Sequence, residues 1–305
     1  MQFEKLLLLV PGLGMMLVAG FAVFYCIHRL RTEARWFWVG AGLWTIAVAL
    51  KFACAILTNP AVVGFLNRLF RYPAYVAIGG LYVGVQSSIF EIGFTILAGW
   101  IWRQLGRDSP RAIAVGVGAG AFEAFLLGLL SAVAMAAVAV GAPGTEGPNR
   151  EISVHQAVTP LFWLVAPVER ISAVLVHASS RALVLLGLTY RRPLMVFWGF
   201  WIFALLDTVA GAAQLSGRIG TFSLWWVELA ILPFGLISIP ILRWCIEHFP
   251  RKPIEQSDPG VGSGEVGESQ ARDADEPQRV PERPTCQPGN DFGSSPAGGG
   301  STSFS

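Results

Sequence analysis

Nine ionisable side chains lie within segments of the sequence that are otherwise apolar. The clearest is Glu123, in the run GVGAGAFEAFLLGL, where every other residue is small or hydrophobic. Charged groups inside a bilayer are costly, so they usually face the interior of a helix bundle, where they function or pair with one another. The full set is Lys51, Glu91, Glu123, Glu169, Arg170, His177, Arg181, Asp207 and Glu228. Glu123 is therefore a catalytic group, a contact between helices or the remnant of a site that has lost its chemistry.

Four of these side chains share a predicted depth. Counted from the basic residues that follow or precede each apolar segment, Glu91 and Glu123 each lie 12 residues in. His177 lies 14 residues in and Asp207 lies 15. At about 1.5 Å per helical residue, all four are roughly 18–22 Å from the same membrane surface. Because they lie on four different segments, the sequence predicts one polar layer near mid-membrane.

One segment carries a second polar pattern. Arg170, His177 and Arg181 are spaced i, i+7, i+11, which places them within about 40° on one helix face. Glu169 points roughly 100° away from Arg170 and is expected to face a different neighbour. One interpretation is an Arg–Glu pair that locks two helices together, with Arg181 extending toward the cytoplasm. The other is that the three residues belong to a functional site.

The elements that position these residues are predicted to be membrane-spanning helices. The chain of 305 residues is 53% hydrophobic and 14% charged, and its mean hydropathy is +0.55. Apolar runs longer than about 18 residues recur along it, as in spanning helices. We predict an all-α polytopic transmembrane bundle of about seven spans, at about 6–27, 36–57, 74–102, 112–140, 157–189, 193–214 and 221–243.

Two details of these spans depend on prolines and basic residues. Pro160 and Pro167 are expected to divide the fifth span, so that its main helix begins near Pro167. The segment AVVGFLNRLFRYP is too short and too basic to span, and we expect it to form a separate interfacial helix.

The charges in the loops predict the orientation. Alternate loops hold eleven basic residues, whereas the intervening loops hold five. The positive-inside rule then places the N-terminus outside and the C-terminus in the cytoplasm. The net charge of +2 is too small to suggest nucleic-acid binding. The expected partner is the lipid bilayer, because of the long apolar runs.

The composition changes abruptly near Pro250. Residues 250–305 are rich in Gly, Ser, Pro and Glu and nearly free of aliphatic side chains. Such a segment cannot bury enough apolar surface to offset the entropy of ordering it. We therefore predict a transmembrane domain of residues 1–249 and a disordered cytoplasmic tail of residues 250–305.

Several motifs resemble those of one family. The stretch GVGAGAFEAFLLG resembles the G-x-G-H-G-G-x-E-A motif of the YhfC family of membrane peptidases, and PVERISAVLVHASSRALVLLGL resembles that family's E-R…H helix. GVQSSIFEIGFTILAGWIW is similar to its Glu-Glu…Arg helix, and FWGFWIFALLDTVAG to its His…Asp helix. The family is itself similar to CAAX-prenyl-protease-like intramembrane metalloproteases.

This resemblance implies a site for peptide hydrolysis inside the membrane. It implies a divalent metal, zinc in the first place, with His177, Glu91, Glu123 and Asp207 as its ligands. Water bound to such a metal becomes a nucleophile near neutral pH, and a carboxylate can act as the general base. Glu123 and Glu91 would be the catalytic carboxylates, with Glu169 and Arg170 in supporting positions. The implied partner is a membrane peptide or protein substrate.

The sequence also departs from the family pattern. Ala119 stands where the motif has histidine, Phe90 precedes Glu91 where a second glutamate is expected, and Thr95 takes the place of an arginine. The later histidine is replaced by an apolar residue within 202–204, which leaves His177 alone, whereas catalytic zinc sites more often use two or three histidines.

These departures predict a divergent or inactive member that binds or hydrolyses peptide in a bacterial plasma membrane. The alternative is a small-solute transporter or a membrane-assembly or scaffold protein without enzymatic activity.

Overall fold

The computed structural model describes residues 7–250, which fold into α-helices joined by short loops. Seven of these helices are long and apolar enough to cross a membrane. We number the α-helices in chain order: α1 Val10–Leu30, α2 Ala34–Leu69, α3 Tyr72–Ile101, α4 Ser109–Val140, α5 Glu146–Val158, α6 Val165–Thr189, α7 Pro193–Leu215 and α8 Trp225–His248. The spanning helices are all of these except α5. The predicted all-α transmembrane bundle is therefore confirmed.

Local sequence signals set several helix ends. Asp108 caps α4, since its carboxylate accepts a hydrogen bond from the backbone N–H of Arg111 at 3.0 Å. Helix α4 ends at Val140 and is capped by Gly141, whose φ of 69° lies in the left-handed region that glycine adopts without strain. Pro193 begins α7, where its missing N–H would have no partner in the helix.

The division of the fifth predicted span is confirmed. Helix α5 ends at Val158, a short 3-10 helix covers Phe162–Leu164, and α6 begins at Val165. Helix α5 itself is an element that hydropathy does not reveal, because only Ile152 within it is buried. It lies between two spanning helices as a short polar helix.

The expected separate interfacial helix after the second span was wrong. Helix α2 instead continues through Pro60 to Leu69 without a break. Thr58 and Asn59, directly before the proline, contact the Tyr82 hydroxyl of α3 at 3.2 and 3.1 Å. These contacts hold α2 against α3. The backbone hydrogen bond that Pro60 cannot donate is therefore lost without ending the helix.

Helix α6 is the centre of the bundle. It packs against α1, α3, α4, α7 and α8, and 83% of its most apolar 18 residues are buried. Helix α4 approaches it closely because glycines face it: a Cβ added at Gly116 would lie 2.6 Å from the backbone oxygen of His177. A polar side chain on α6 is thereby surrounded by other helices rather than by lipid.

The described residues cover nearly the whole predicted transmembrane domain. The predicted disordered tail of residues 250–305 falls, apart from Pro250, outside them.

Candidate functional site

Three polar side chains from three helices meet inside the bundle. A carboxylate oxygen of Glu91 on α3, one of Glu123 on α4 and a ring nitrogen of His177 on α6 all lie within 4.8 Å of one another. The convergence that we predicted from their shared depth is therefore observed for these three. Their spacing would allow all three to contact one small ion.

The carboxylate of Glu123 is hydrogen-bonded on both oxygens. Its Oε1 accepts from Arg170 Nη1 at 2.7 Å, and its Oε2 accepts from Trp44 Nε1 at 3.1 Å. Arg170 also forms two hydrogen bonds with Glu169, one of them from Nε to Oε2 at 2.9 Å. The angle of Glu169 on the helix led us to expect that it faces a different neighbour from Arg170. It instead pairs with Arg170, because the long Arg170 side chain folds back to it. One guanidinium joins two carboxylates.

Glu91 is paired with two cations. Its Oε1 accepts from Lys51 Nζ at 2.6 Å, and its Oε2 accepts from Arg181 Nη2 at 3.1 Å. Only 1% of the Arg181 side chain is exposed, so of the two interpretations the one in which it extends toward the cytoplasm is wrong. A buried carboxylate and a buried guanidinium compensate each other's loss of hydration, which holds Arg181 inside the bundle.

His177 uses both ring nitrogens. Its Nδ1 lies 2.8 Å from Arg181 Nη1, and its Nε2 lies 3.0 Å from Glu123 Oε2. Because a guanidinium can only donate, Nδ1 must be the acceptor. The ring hydrogen therefore resides on Nε2 and is donated to Glu123. The Phe203 ring packs edge-on against the imidazole, with 5.0 Å between ring centroids.

Asp207 is near these residues but is not a member of the group of three. Its carboxylate accepts a short hydrogen bond from Ser87 Oγ, and the same hydroxyl lies 3.4 Å from Glu91 Oε1. A serine hydroxyl has one hydrogen, so it donates to one carboxylate at a time. The Ser87 hydroxyl thus lies within hydrogen-bond distance of both the Asp207 and the Glu91 carboxylates.

We call the connected set the charge cluster: Lys51, Glu91, Glu123, Glu169, Arg170, His177, Arg181 and Asp207, with Ser87 and Trp44 as neutral partners. Four carboxyl groups face three basic side chains within it. The sequence did not assign Trp44 or Ser87 to the site. It identified Lys51 only as an ionisable residue within an apolar segment, and it placed Arg181 in the site in one of two interpretations. Helical spacing could have indicated two of them, since Trp44 lies seven residues before Lys51 and Ser87 four before Glu91.

Comparison with known proteins gives one family. The family model described as YhfC intramembrane metalloprotease matches residues 14–231, which is well over half of the chain. No curated protein and no solved structure matches it. The matched range contains every residue of the charge cluster.

Proposed function

Since the chain belongs to the YhfC intramembrane metalloprotease family, we propose that it keeps that family's membrane scaffold and uses the charge cluster to bind peptide without hydrolysing it. The observation that carries the proposal is the hydrogen bonding of His177, whose two ring nitrogens are both engaged by protein groups. We further propose a bacterial plasma membrane as its location.

The residues of the charge cluster do not fit a resident divalent metal ion. A histidine that ligates a metal usually donates its other ring N–H to a carboxylate or carbonyl, which fixes the correct tautomer. Here the other nitrogen faces Arg181, which donates instead, and the hydrogen lies on Nε2 beside the carboxylates. Metal binding at Nε2 would require both this hydrogen and Arg181 to move.

Two further features support the same conclusion. Lys51, Arg170 and Arg181 already provide positive charge at the carboxylates of Glu91 and Glu123. Ala119, at the position of the motif's histidine, lies one helical turn before Glu123, and its methyl side chain has no atom that can bind a metal. Protein cations thus take the electrostatic place that the family's metal would have.

Peptide binding agrees with the hydrogen-bond donor that Lys51 still has for a ligand. Lys51 and Glu169 have side chains that are 24% and 25% exposed, so the charge cluster is partly accessible at these two residues. The ammonium of Lys51 donates to Glu91 and Ser87 and has a third hydrogen for a ligand. A peptide carbonyl entering the membrane needs such a donor, because lipid offers none.

A synthetic membrane peptide tests the proposal. The protein in nanodiscs is mixed with a fluorescent Leu/Ala membrane peptide that has a central Gly-Pro-Gly break. We expect saturable binding by fluorescence polarisation, and no product by mass spectrometry with or without added Zn²⁺ or Mn²⁺. Glu123→Gln should weaken binding because Arg170 loses a charged partner, whereas Glu247→Gln, at an exposed position outside the charge cluster, should not.

Hydrolysis by a metal-loaded form is the second candidate function. It is favoured by the spacing of Glu91, Glu123 and His177, which lie close enough to share an ion. Cleavage of the broken peptide that a chelator abolishes and that Glu123→Gln removes would establish this candidate and overturn the first.

A further inference from the structure

A groove of about 550 Å³ lies on the surface of the bundle where α1, α2 and α4 meet, and we call it the α1–α2–α4 groove. Ala19, Ala41 and Ala121 in its lining are buried, so these small side chains form its floor. Phe24 and Trp38, which also line it, are 58% and 72% exposed and form its rims. Since all three helices are candidate membrane spans, the groove opens toward lipid.

The groove has the length of about one leaflet of a bilayer. On α1 its lining extends from Ala19 to His28, and α1 ends two residues later at Leu30. At about 1.5 Å per residue these positions are about 14 Å apart, which is less than half of a hydrocarbon core of about 30 Å. One end of the groove therefore lies at a membrane surface, and the other end lies inside the membrane.

The surface end of the groove is its polar end. Among the described residues that line the groove, only His28 is ionisable. Its Nδ1 donates to the backbone oxygen of Phe24 at 2.9 Å, and the two rings pack with 4.0 Å between their centroids. The imidazole is thereby held at the end of the groove where α1 ends and α2 begins.

Each of the three helices that form the groove carries an arginine at this same end. Arg29 lies in the last turn of α1, Arg35 is the second residue of α2, and Arg111 is the third residue of α4. Arg111 is seven residues before Gly118, which lines the groove, so the two share a helix face. The inner end of the groove has no such group, because it is formed by Ala19 and Phe125.

Two of these arginines are held in place by an aromatic ring. The guanidinium of Arg35 lies over the Trp36 ring at 4.7 Å, and that of Arg111 lies over the same ring at 5.2 Å. Their acidic partners are Glu33, at 2.6 Å from Arg35, and Asp108, at 3.2 Å from Arg111. With four basic residues against two acidic ones, this end keeps a net charge of +2; the six are Arg29, Arg31, Arg35, Arg111, Glu33 and Asp108.

The length and the charge of the groove together select its occupant. A spanning helix, whether of a partner or of a second copy of this chain, needs an apolar face across the whole membrane, and this groove ends inside it. A phospholipid places its acyl chains in one leaflet and its phosphate at the surface. Arginines near the surface attract an anionic headgroup, whereas a zwitterionic headgroup carries its own compensating cation.

We infer that the α1–α2–α4 groove is a binding site for an anionic phospholipid, with one acyl chain in the groove and the phosphate at the arginines. The inference is independent of whether the charge cluster binds or hydrolyses peptide. The bound lipid would nevertheless lie beside that cluster. Phe122 lines the groove and packs edge-on against Trp44, whose Nε1 donates to Glu123.

Native mass spectrometry of the protein released from nanodiscs tests the inference. The nanodiscs contain equal amounts of phosphatidylglycerol and phosphatidylcholine with the same acyl chains, so that the two lipids differ only in the headgroup. We expect one phosphatidylglycerol molecule retained per chain, and at least about fivefold less phosphatidylcholine, as one surface arginine alone would give.

A pair of glycine variants tests whether the acyl chain lies in the groove. Gly20 lines it, and a Cβ added there meets no atom of the described residues within 4 Å, so Gly20→Phe fills the groove. We expect it to lower the retained phosphatidylglycerol at least about fivefold. Gly42→Phe is the matched control, because its Cβ is equally unobstructed and the residue lies outside the lining. It should leave retention unchanged.

A pair of arginine variants tests the headgroup contact. Arg35→Gln should lower the retention of phosphatidylglycerol by about fivefold, the effect of one basic residue near the membrane surface. Arg150→Gln should leave it unchanged, since Arg150 is exposed on α5, beyond the opposite end of α4. Thermal midpoints of all variants are measured in parallel, and Gly20→Leu replaces Gly20→Phe if the latter does not fold.

Four results would overturn the inference. They are equal retention of the two lipids, loss of lipid in Arg35→Gln but not in Gly20→Phe, retention of neither lipid, and a dimer that Gly20→Phe dissociates. The last result would identify a second copy of the chain as the occupant of the groove. None of them bears on peptide binding, which is measured separately.

Discussion

His177 shows how one contact decides what a residue can do. An imidazole between two carboxylates is a plausible metal ligand, but Arg181 lies 2.8 Å from its Nδ1 and can only donate. This contact favours the tautomer with the hydrogen on Nε2, which then donates to Glu123. The same three residues would form a different site if the partner of Nδ1 were an acceptor.

The tautomer of His177 can be measured. We expect a neutral ring with the hydrogen on Nε2, because Arg181 occupies Nδ1. Nitrogen NMR of protein labelled with ¹⁵N-histidine distinguishes the two tautomers, and His177→Gln assigns the signal among the four histidines of the chain. A hydrogen found on Nδ1 would contradict our interpretation of the Arg181 contact.

For single residues, the depth in the membrane was predictable from the sequence, whereas the direction in which each side chain points was not. Counting residues along a helix gives depth at about 1.5 Å per residue, which is why Glu91, Glu123 and His177 were expected in one layer. Rotation about the helix axis and the reach of long side chains depend on the neighbouring helices. For this reason the sequence left open whether Arg181 extends to the cytoplasm or belongs to the site, and it did not indicate that Ser87 connects Asp207 with Glu91.

At the scale of the elements, α4 owes its position to glycines. A Cβ at Gly116 would meet the backbone oxygen of His177 at 2.6 Å, and a Cβ at Gly118 would meet that of Phe37 at 2.2 Å. Backbone atoms cannot yield as a flexible side chain can. Helix α4 is therefore held between α2 and α6, which brings Glu123 to His177.

Alanine substitution tests this close packing. Gly116→Ala should destabilise the protein by about 1–3 kcal/mol, the usual cost of overpacking, reduced by up to about 1 kcal/mol of improved helix propensity. Gly42→Ala on α2 is the control, because no atom lies within 4 Å of its added Cβ, and it should leave stability equal or slightly higher. Thermal unfolding followed by tryptophan fluorescence measures both. Equal midpoints for the two variants would argue against the close approach.

Spanning helices could be predicted here because hydropathy reports burial in lipid over some 20 residues. The same signal could not predict the end of α2, where Pro60 is tolerated because Thr58 and Asn59 contact Tyr82. It also could not reveal α5, whose residues are mostly exposed. Both features depend on contacts or on amphipathic structure outside the apolar runs.

For the whole molecule, the orientation in the membrane remains a prediction. The eleven basic residues in alternate loops place the C-terminus in the cytoplasm and the loop between α4 and α5 outside. We expect green fluorescent protein fused to the C-terminus to be fluorescent, and alkaline phosphatase inserted after Gly141 to be active. The reverse pattern, with active phosphatase at the C-terminus, would show the opposite orientation.

The bundle as a whole combines a protease scaffold with a charge cluster in which three basic side chains face four carboxyl groups. Family membership supplies the scaffold, and Lys51, Arg170 and Arg181 supply the positive charge.

A change at Arg181 should therefore restore the capacity to hold a metal. In Arg181→Gln the amide oxygen can accept the hydrogen from Nδ1, which frees Nε2 for an ion. Arg181→Lys keeps a group that only donates and is the matched control.

The zinc content of the purified protein after equilibration with buffered Zn²⁺ tests the central claim most directly. We predict no stoichiometric zinc in the wild-type protein or in Arg181→Lys, and about one ion per chain in Arg181→Gln that is lost again when His177→Ala is added. One ion per chain in the wild-type protein, lost in His177→Ala alone, would contradict the account.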